Sequence, residues 1–319
     1  MENRILVMGG TGAMGRYLVP QLAQLGYQVD VVSLDLLPDE KNIHYIQKNI
    51  MDDAVLEQQL SQGYQGIVDF MVYPTEHFRS RHELLLSNTD HYIFLSSYRV
   101  FGEGPLPITE DSPQLLDVST DQEFLASDDY TLRKCRGEDI LEQSSYDNWT
   151  IVRPAITYSR NRAQLVTLEL YHILAALREK RPVLLPERAK NIQATMTWGG
   201  DVAQMLARLL LQQSAKRQSF NVTTAEHNTW EQVALIYKEL YGLEYQWVDH
   251  QTYLEAKAQN DKIGRVTKGS QWQLFYDRFY NRVMDNSKIL TQTGLRQQEL
   301  KSLYDGLLLE REYNLKGLK

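Results

Sequence analysis

The stretch that most restricts what this 319-residue chain can fold into is Ile5-Leu6-Val7-Met8-Gly9-Gly10-Thr11-Gly12-Ala13-Met14-Gly15, followed by Arg16-Tyr17-Leu18-Val19. Ile5 to Met8 is a short continuous apolar run, the pattern of a strand covered on both faces. Gly9, Gly12 and Gly15 recur at every third position. The first can make a tight turn, the second lets backbone approach a phosphate, and the third lets a helix pack closely on a strand. The helix that follows aims free N–H groups and the positive end of its dipole at an anion. Strand, turn and helix in this order predict a dinucleotide site built on Gly9, Thr11, Gly12, Ala13, Met14 and Gly15. The plainer alternative is a structural turn with nothing bound.

After this turn the first half of the chain alternates strand and helix. Arg16 to Leu25 reads as a helix stopped by Gly26. Strands follow at Val29–Leu34, Ile43–Ile46, Gly66–Tyr73, Tyr92–Ser97 and Trp149–Arg153, the last stopped by Pro154. Helices are expected at 52–60, 82–87 and from near Asp128 through Gln143. Such alternation implies right-handed crossovers and a doubly wound parallel sheet, an α/β fold. Residues 102–129, with Pro105, Pro107 and Pro113, read as a long loop. Later helices are expected at 163–178, 201–213, 229–241, 274–282 and 299–312, with a short strand at 219–222. A dinucleotide-binding domain over 1–157 and a smaller substrate lobe over 158–319, part of it returning to the first domain, is the simplest organisation.

Composition narrows the function classes. A net charge of -7 without a basic run argues against a nucleic-acid partner held by phosphate contacts. Cys135 is the only cysteine, so no internal disulfide can form, and a reducing, cytoplasmic setting is expected. No basic-then-apolar leader precedes the first strand and no run approaches a membrane span.

Two further constellations carry chemistry. Tyr130 and Lys134 stand four apart on a predicted helix and so share a face. An ammonium there favours phenolate and tunes the phenol for acid–base work. A solvated lysine beside a surface tyrosine is the bland alternative. Ser96 and Ser97 end a predicted parallel strand, at the sheet edge where open α/β folds bind ligands, although serines in such places also serve as caps and turns.

Taken in this order, the three pieces resemble the extended short-chain dehydrogenase/reductase family, the NAD-dependent sugar epimerases and dehydratases. The resemblance rests on Gly9 to Gly15, on Leu-Ser-Ser-Tyr-Arg-Val-Phe-Gly at 95–102, on Tyr130 with Lys134, and on Val152-Arg153-Pro154. It continues loosely through Trp198 to Ala203 and Asp285-Asn286-Ser287-Lys288. It implies a Rossmann-type fold, an NAD cofactor and a small-molecule substrate, a nucleotide-linked sugar. It also implies that Ser97 bonds the reacting oxygen, that Tyr130 moves the proton, that Lys134 supports Tyr130 and the nicotinamide ribose, and that Pro154 packs near the nicotinamide.

The chain departs from the family at several points. Eighteen residues after Gly15, where the family carries an acidic residue, stands Ser33; Asp35 is the substitute candidate for the ribose. No Arg or Lys follows Ser33 directly, so NAD is favoured over NADP, with Arg16 the one candidate for a 2′-phosphate. Asn49 and Asp52 are candidates near the adenine. The fourth strand ends in bulky Phe70-Met71-Val72-Tyr73, with Tyr73 counted among the cofactor-facing residues. These changes keep open a cofactor-binding regulatory or RNA-associated protein without turnover. Arg278 and Arg282, one helical turn apart, are candidates for a substrate diphosphate, with Arg188 and Lys190 on thinner grounds. His77, His82 and His91 lack metal-ligand spacing, so no metal site is expected. Cys135 reads as a packed thiol. Monomer and homodimer are both open; the family's four-helix contact would use the Tyr130 helix and the helix at 52–60.

Overall fold

A computed structural model describes residues 3–260 and 266–318. Seven strands form one parallel sheet: β1 (Arg4–Met8), β2 (Gln28–Ser33), β3 (Ile43–Gln47), β4 (Tyr64–Asp69), β5 (Thr89–Leu95), β6 (Trp149–Pro154) and β7 (Gln218–Val222). Their order is β7-β6-β5-β4-β1-β2-β3, every neighbour parallel. The order reverses between β1 and β4, so the crevice at their C-terminal ends is where an open sheet of this kind takes a ligand. The fold is the Rossmann-type α/β architecture expected from the alternation.

One core cluster fills each sheet face and a third lies outside the sheet. Leu18, Val19 and Leu22 of α1 (Gly15–Gln24) pack on Val7 and Val31. Leu6, Ile67, Phe78 and Tyr92 fill the opposite face. The third cluster joins Val183, Trp230 and Tyr237 of the later chain to Tyr98, Phe101, Cys135 and Ile156. The chain after 158 returns to the sheet through β7 and through the helix Gly199–Leu209, whose Val202, Met205 and Leu206 join the α1 face.

Several boundaries differ from expectation. β4 stops at Asp69 rather than running to Tyr73, because the Asp69 carboxylate accepts the Met71 N–H (2.8 Å) and the Tyr73 hydroxyl (2.8 Å) and turns the chain off the sheet. The helix expected at 82–87 begins at Thr75; its interior positions include Arg81, a buried charge that hides the apolar spacing. Arg81 donates to the carbonyls of Ile50 (3.3 Å) and Met51 (3.1 Å). Where a helix was expected from 163, Gln164–Leu165 pairs antiparallel with Leu168–Glu169, and the helix starts only at Leu170. The helix expected over 274–282 ends at Arg278, and the last long helix spans Leu303–Leu315.

The helix Tyr130–Glu142, α4 here, has Thr75–Ser87 (α3) beside it rather than Asp53–Leu60 (α2). Exposed positions on α3 are Glu76, Arg79, Ser80, Glu83 and Ser87, so this face offers no apolar seam. No helix among the described residues is long and apolar enough to cross a membrane.

Candidate active site

The glycine turn shows a different constraint at each position. Gly9 takes φ +74°, a conformation L side chains rarely adopt. A Cβ on Gly15 would stand 2.2 Å from the Gly10 carbonyl oxygen, so α1 can approach the turn only without one. A Cβ on Gly12 would meet nothing nearer than the Gly9 carbonyl oxygen at 3.6 Å. The space above Gly12 is therefore open, at the N-terminal end of α1 where backbone N–H groups and the helix dipole favour a phosphate.

At the end of β2, Ser33 Oγ accepts the Asp35 N–H (3.1 Å), a local turn that keeps Ser33 and the exposed Asp35 together. Asn49 accepts the Met51 N–H (3.1 Å) and stays exposed, whereas Asp52 is spent on capping α2 through Ala54 N (2.9 Å). Arg16 faces a cavity of about 590 Å³ with Ala13, Arg160 and Arg162, and does not join Ser33 and Asp35. Tyr73 is turned into the core: it is buried, bonded to Asp69 and stacked on Phe78. The expectation that it faces the cofactor is corrected; Phe70 and Val72 line the cavity instead.

A second cavity, about 340 Å³, opens at the C-terminal ends of β4, β5 and β6. Its lining includes Met14, Phe70, Ser97, Arg99, Tyr130, Pro154, Arg162, Gln164, Glu169, Gln273 and Arg278. Tyr130 opens α4, whose first turn is capped by Asp129 accepting the Thr131 N–H (3.0 Å). One turn on, Lys134 is buried, with Nζ 5.9 Å from the Tyr130 ring centroid. Its ammonium donates to the carbonyls of Leu95 (2.5 Å) and Met71 (3.1 Å). Burial pulls the Lys134 pKa down to about 8, against the opposing pull of Asp69 and Glu138. Ser97 Oγ accepts the Arg99 N–H (3.2 Å), which leaves its own hydroxyl proton for a partner in the cavity. The structure thus brings Ser97, Tyr130, Met14 and Pro154 to one cavity, with Lys134 behind the phenol.

Arg278 lines this cavity, but its Nε donates to the Val166 carbonyl (2.7 Å) and NH1 to the Tyr98 hydroxyl (2.8 Å). Arg282, paired with it by spacing, is not on the wall. The helix ends before it, and its NH1 and NH2 go to the carbonyls of Phe101 (3.0 Å) and Tyr276 (2.8 Å). Both arginines gather on Asp277. Burial alone would raise that carboxyl, but Arg278, Arg99 and Arg282 outweigh it and hold it below the usual range. Arg188 packs over Phe279, 4.6 Å from its ring centroid.

The sequence pattern of the NAD dependent epimerase/dehydratase family matches residues 5–223. The chain belongs to that family. The matched span carries the glycine turn, Ser97, Tyr130, Lys134 and Pro154, and NAD is the cofactor of the family. The open cradle above Gly12 and the exposed Asp35, held beside Ser33, fit that cofactor.

Among solved structures, the chain is similar to Pal from Bacillus thuringiensis (17% identity, 99% of this chain and 100% of that one, TM-score 0.73). It is also similar to UDP-glucose 4-epimerase from Thermotoga maritima with UDP-glucose (19%, 99% and 100%, 0.70). A third is the enzyme WbmG from Bordetella bronchiseptica in complex with NAD (16%, 99% and 95%, 0.70). None of the curated proteins matches by sequence.

Three residues of the site were not singled out in the sequence. Arg99 lies inside the quoted motif, two positions after Ser97, and a cation there was the available signal. Glu138 is one turn beyond Lys134 on the same helix face, and a buried carboxylate could have been read from that spacing. Asp277 carried no local signal, because its partners are distant in sequence. His91 belongs to the core, between Thr150 Oγ1 (2.7 Å) and the Leu211 N–H (2.8 Å). Cys135 is buried, and burial pushes its thiol pKa up.

Proposed function

We propose that this family member carries out an NAD-dependent redox step on a nucleotide-linked sugar, within an epimerase, dehydratase or reductase reaction. The observation that carries the proposal is the sharing of one cavity by Ser97 and Tyr130, with Lys134 buried behind the phenol. The UDP-glucose in the Thermotoga enzyme and the NAD in the Bordetella enzyme support the same class.

Gly9 to Gly15, with the N–H groups of Thr11, Ala13 and Met14, hold the pyrophosphate. Ser33 and Asp35 hold the adenosine ribose, and Asn49 lies toward the adenine. Two of the three Lys134 N–H bonds are spent on backbone carbonyls, and the third serves a ribose hydroxyl. NAD bound there supplies a hydride acceptor that returns as a donor. Ser97 donates its hydroxyl proton to the reacting oxygen. Tyr130 takes the proton of the carbinol as it is oxidised and returns one when the carbonyl is reduced. Lys134 places positive charge behind the ring where negative charge develops as that proton leaves.

The test is single-turnover reduction of bound NAD, followed at 340 nm, with a panel of UDP-, GDP- and dTDP-sugars. Wild type is expected to reduce NAD with at least one of them, and Tyr130→Phe to slow that step by about 100-fold or more. If no sugar nucleotide reduces NAD that binds normally, the protein is a cofactor-binding protein without turnover and the proposal is wrong.

A further inference from the structure

Three arginines, Arg99, Arg162 and Arg278, and one carboxylate, Glu169, line the cavity. Arg99, on the turn that also carries Ser97, lines the cavity and lays its guanidinium over the Tyr130 ring, 5.1 Å from the centroid. The side chain is 14% exposed. Its Nε is enclosed and donates no hydrogen bond, and carboxylates are met only at ion-pair range, Asp277 at 3.6 Å and Asp129 at 4.0 Å. Both carboxylates already accept other hydrogen bonds. Asp277 Oδ1 accepts the Tyr98 hydroxyl (2.6 Å) and Oδ2 is taken by Arg278. Asp129 Oδ1 accepts the Thr131 N–H that caps α4. Arg99 therefore has one enclosed donor, Nε, with no acceptor at hydrogen-bond distance, where leaving it unmet is costly, and its terminal nitrogens make no hydrogen bond to the described residues.

We infer that Arg99 receives a carboxylate on the substrate, so that the sugar is an acidic one, a uronic acid or its close relative. The assignment rests on the sugar-nucleotide function proposed above and narrows it. Three observations favour a carboxylate on the reacting ring over the linking diphosphate. Arg99 is two residues from Ser97 and lies against Tyr130, so its ligand sits beside the reacting carbon. A flat guanidinium matches a flat carboxylate in two parallel hydrogen bonds. Of the other two arginines on the wall, Arg278 is already committed to Asp277, Tyr98 and Val166, and Arg162 also lines the neighbouring cavity that Arg16 faces. An anionic ligand would complete the cluster: Arg99, Arg278 and Arg282 face Asp277 and Asp129, three cations to two anions.

Matched substrates that share one diphosphate isolate the carboxylate: UDP-glucose against UDP-glucuronate, and UDP-galactose against UDP-galacturonate. Binding is measured by titration calorimetry on the NAD-loaded protein, and reduction of bound NAD is followed at 340 nm. Wild type is expected to favour the acid of at least one pair by about 30-fold or more in kcat/KM. In Arg99→Gln that ratio is expected to collapse toward one, mainly through KM, and in Arg99→Lys to recover in part. Turnover of the neutral sugars with no preference for the acids overturns this inference and leaves the sugar-nucleotide function standing. An unchanged acid-to-neutral ratio in Arg99→Gln, both substrates losing equally, overturns it as well, because Arg99 would then only shape the fold. Binding of none of the four overturns this inference, and reduction of NAD by no member of the wider UDP-, GDP- and dTDP-sugar panel overturns the function as well.

Discussion

Two glycines of one turn separate binding from folding. A methyl on Gly12 meets no protein atom closer than 3.6 Å but occupies the space above the turn. Gly12→Ala is therefore expected to keep its unfolding midpoint, within about 0.5 kcal/mol, while NAD binding by calorimetry weakens at least ~10-fold. A methyl on Gly15 runs into the Gly10 carbonyl, and Gly15→Ala is expected to lose about 1–3 kcal/mol or more in urea unfolding. Lys134 gives a prediction in pH. Its pKa of about 8 lies below the unfolded value, so the ammonium is held below pH 8 and released as pH rises through it. The charge behind Tyr130 goes with it. The kcat/KM profile is expected to fall above about pH 8, and Lys134→Met to be slower at every pH and to lack that limb.

At the level of elements, one buried carboxylate ties four segments together. Glu138 of α4 accepts Gln114 Nε2 (2.8 Å) from the loop at 102–129, Arg153 NH2 (2.6 Å) from β6, and the Ser96 hydroxyl from the end of β5. Arg153 also donates to the Glu110 carbonyl (2.8 Å). This network explains why the long proline-bearing loop is held against the site. Breaking one half leaves the other charge buried and unpaired. Glu138→Gln is expected to cost about 3–5 kcal/mol in chemical denaturation, and the double replacement Glu138→Leu with Arg153→Met clearly less than the sum of the single losses.

On the scale of the whole molecule, buried polar groups as well as apolar ones join segments far apart in the chain. Asp201, in the first turn of the helix that packs on α1, accepts the Lys301 N–H (2.8 Å) from the far end of the chain. Burial, only partly offset by that bond, pushes its pKa up to about 6. A raised carboxyl binds its proton more tightly folded than unfolded, so its contribution to stability is present at low pH and is lost as pH rises through 6. Asp201→Asn, which keeps an acceptor and removes the charge, is expected to stabilise the protein at pH 7.5 by about 1–2 kcal/mol. The gain should disappear below about pH 4, as read from urea midpoints across that range.

The sequence by itself determined the sheet and which side chains gather at its edge. Continuous apolar runs mark buried parallel strands whatever surrounds them, and the demands on Gly9 and Gly15 come from backbone geometry a few residues long. Ser97, Tyr130, Lys134 and Pro154 were legible for the same reason: each sits at a fixed offset from a strand end or along one helix. Only the tertiary structure decided what depends on partners far apart in the chain. Tyr73 faces inward because Asp69 and Phe78 claim it, Arg282 because the carbonyls of Phe101 and Tyr276 do. Arg99 lies over the Tyr130 ring with its Nε unbonded, while Asp277, 178 positions later, is held by Tyr98 and Arg278. A local pattern records which side chains an element carries; which of them is left free to meet a ligand is settled by competition among groups that only the folded chain brings together.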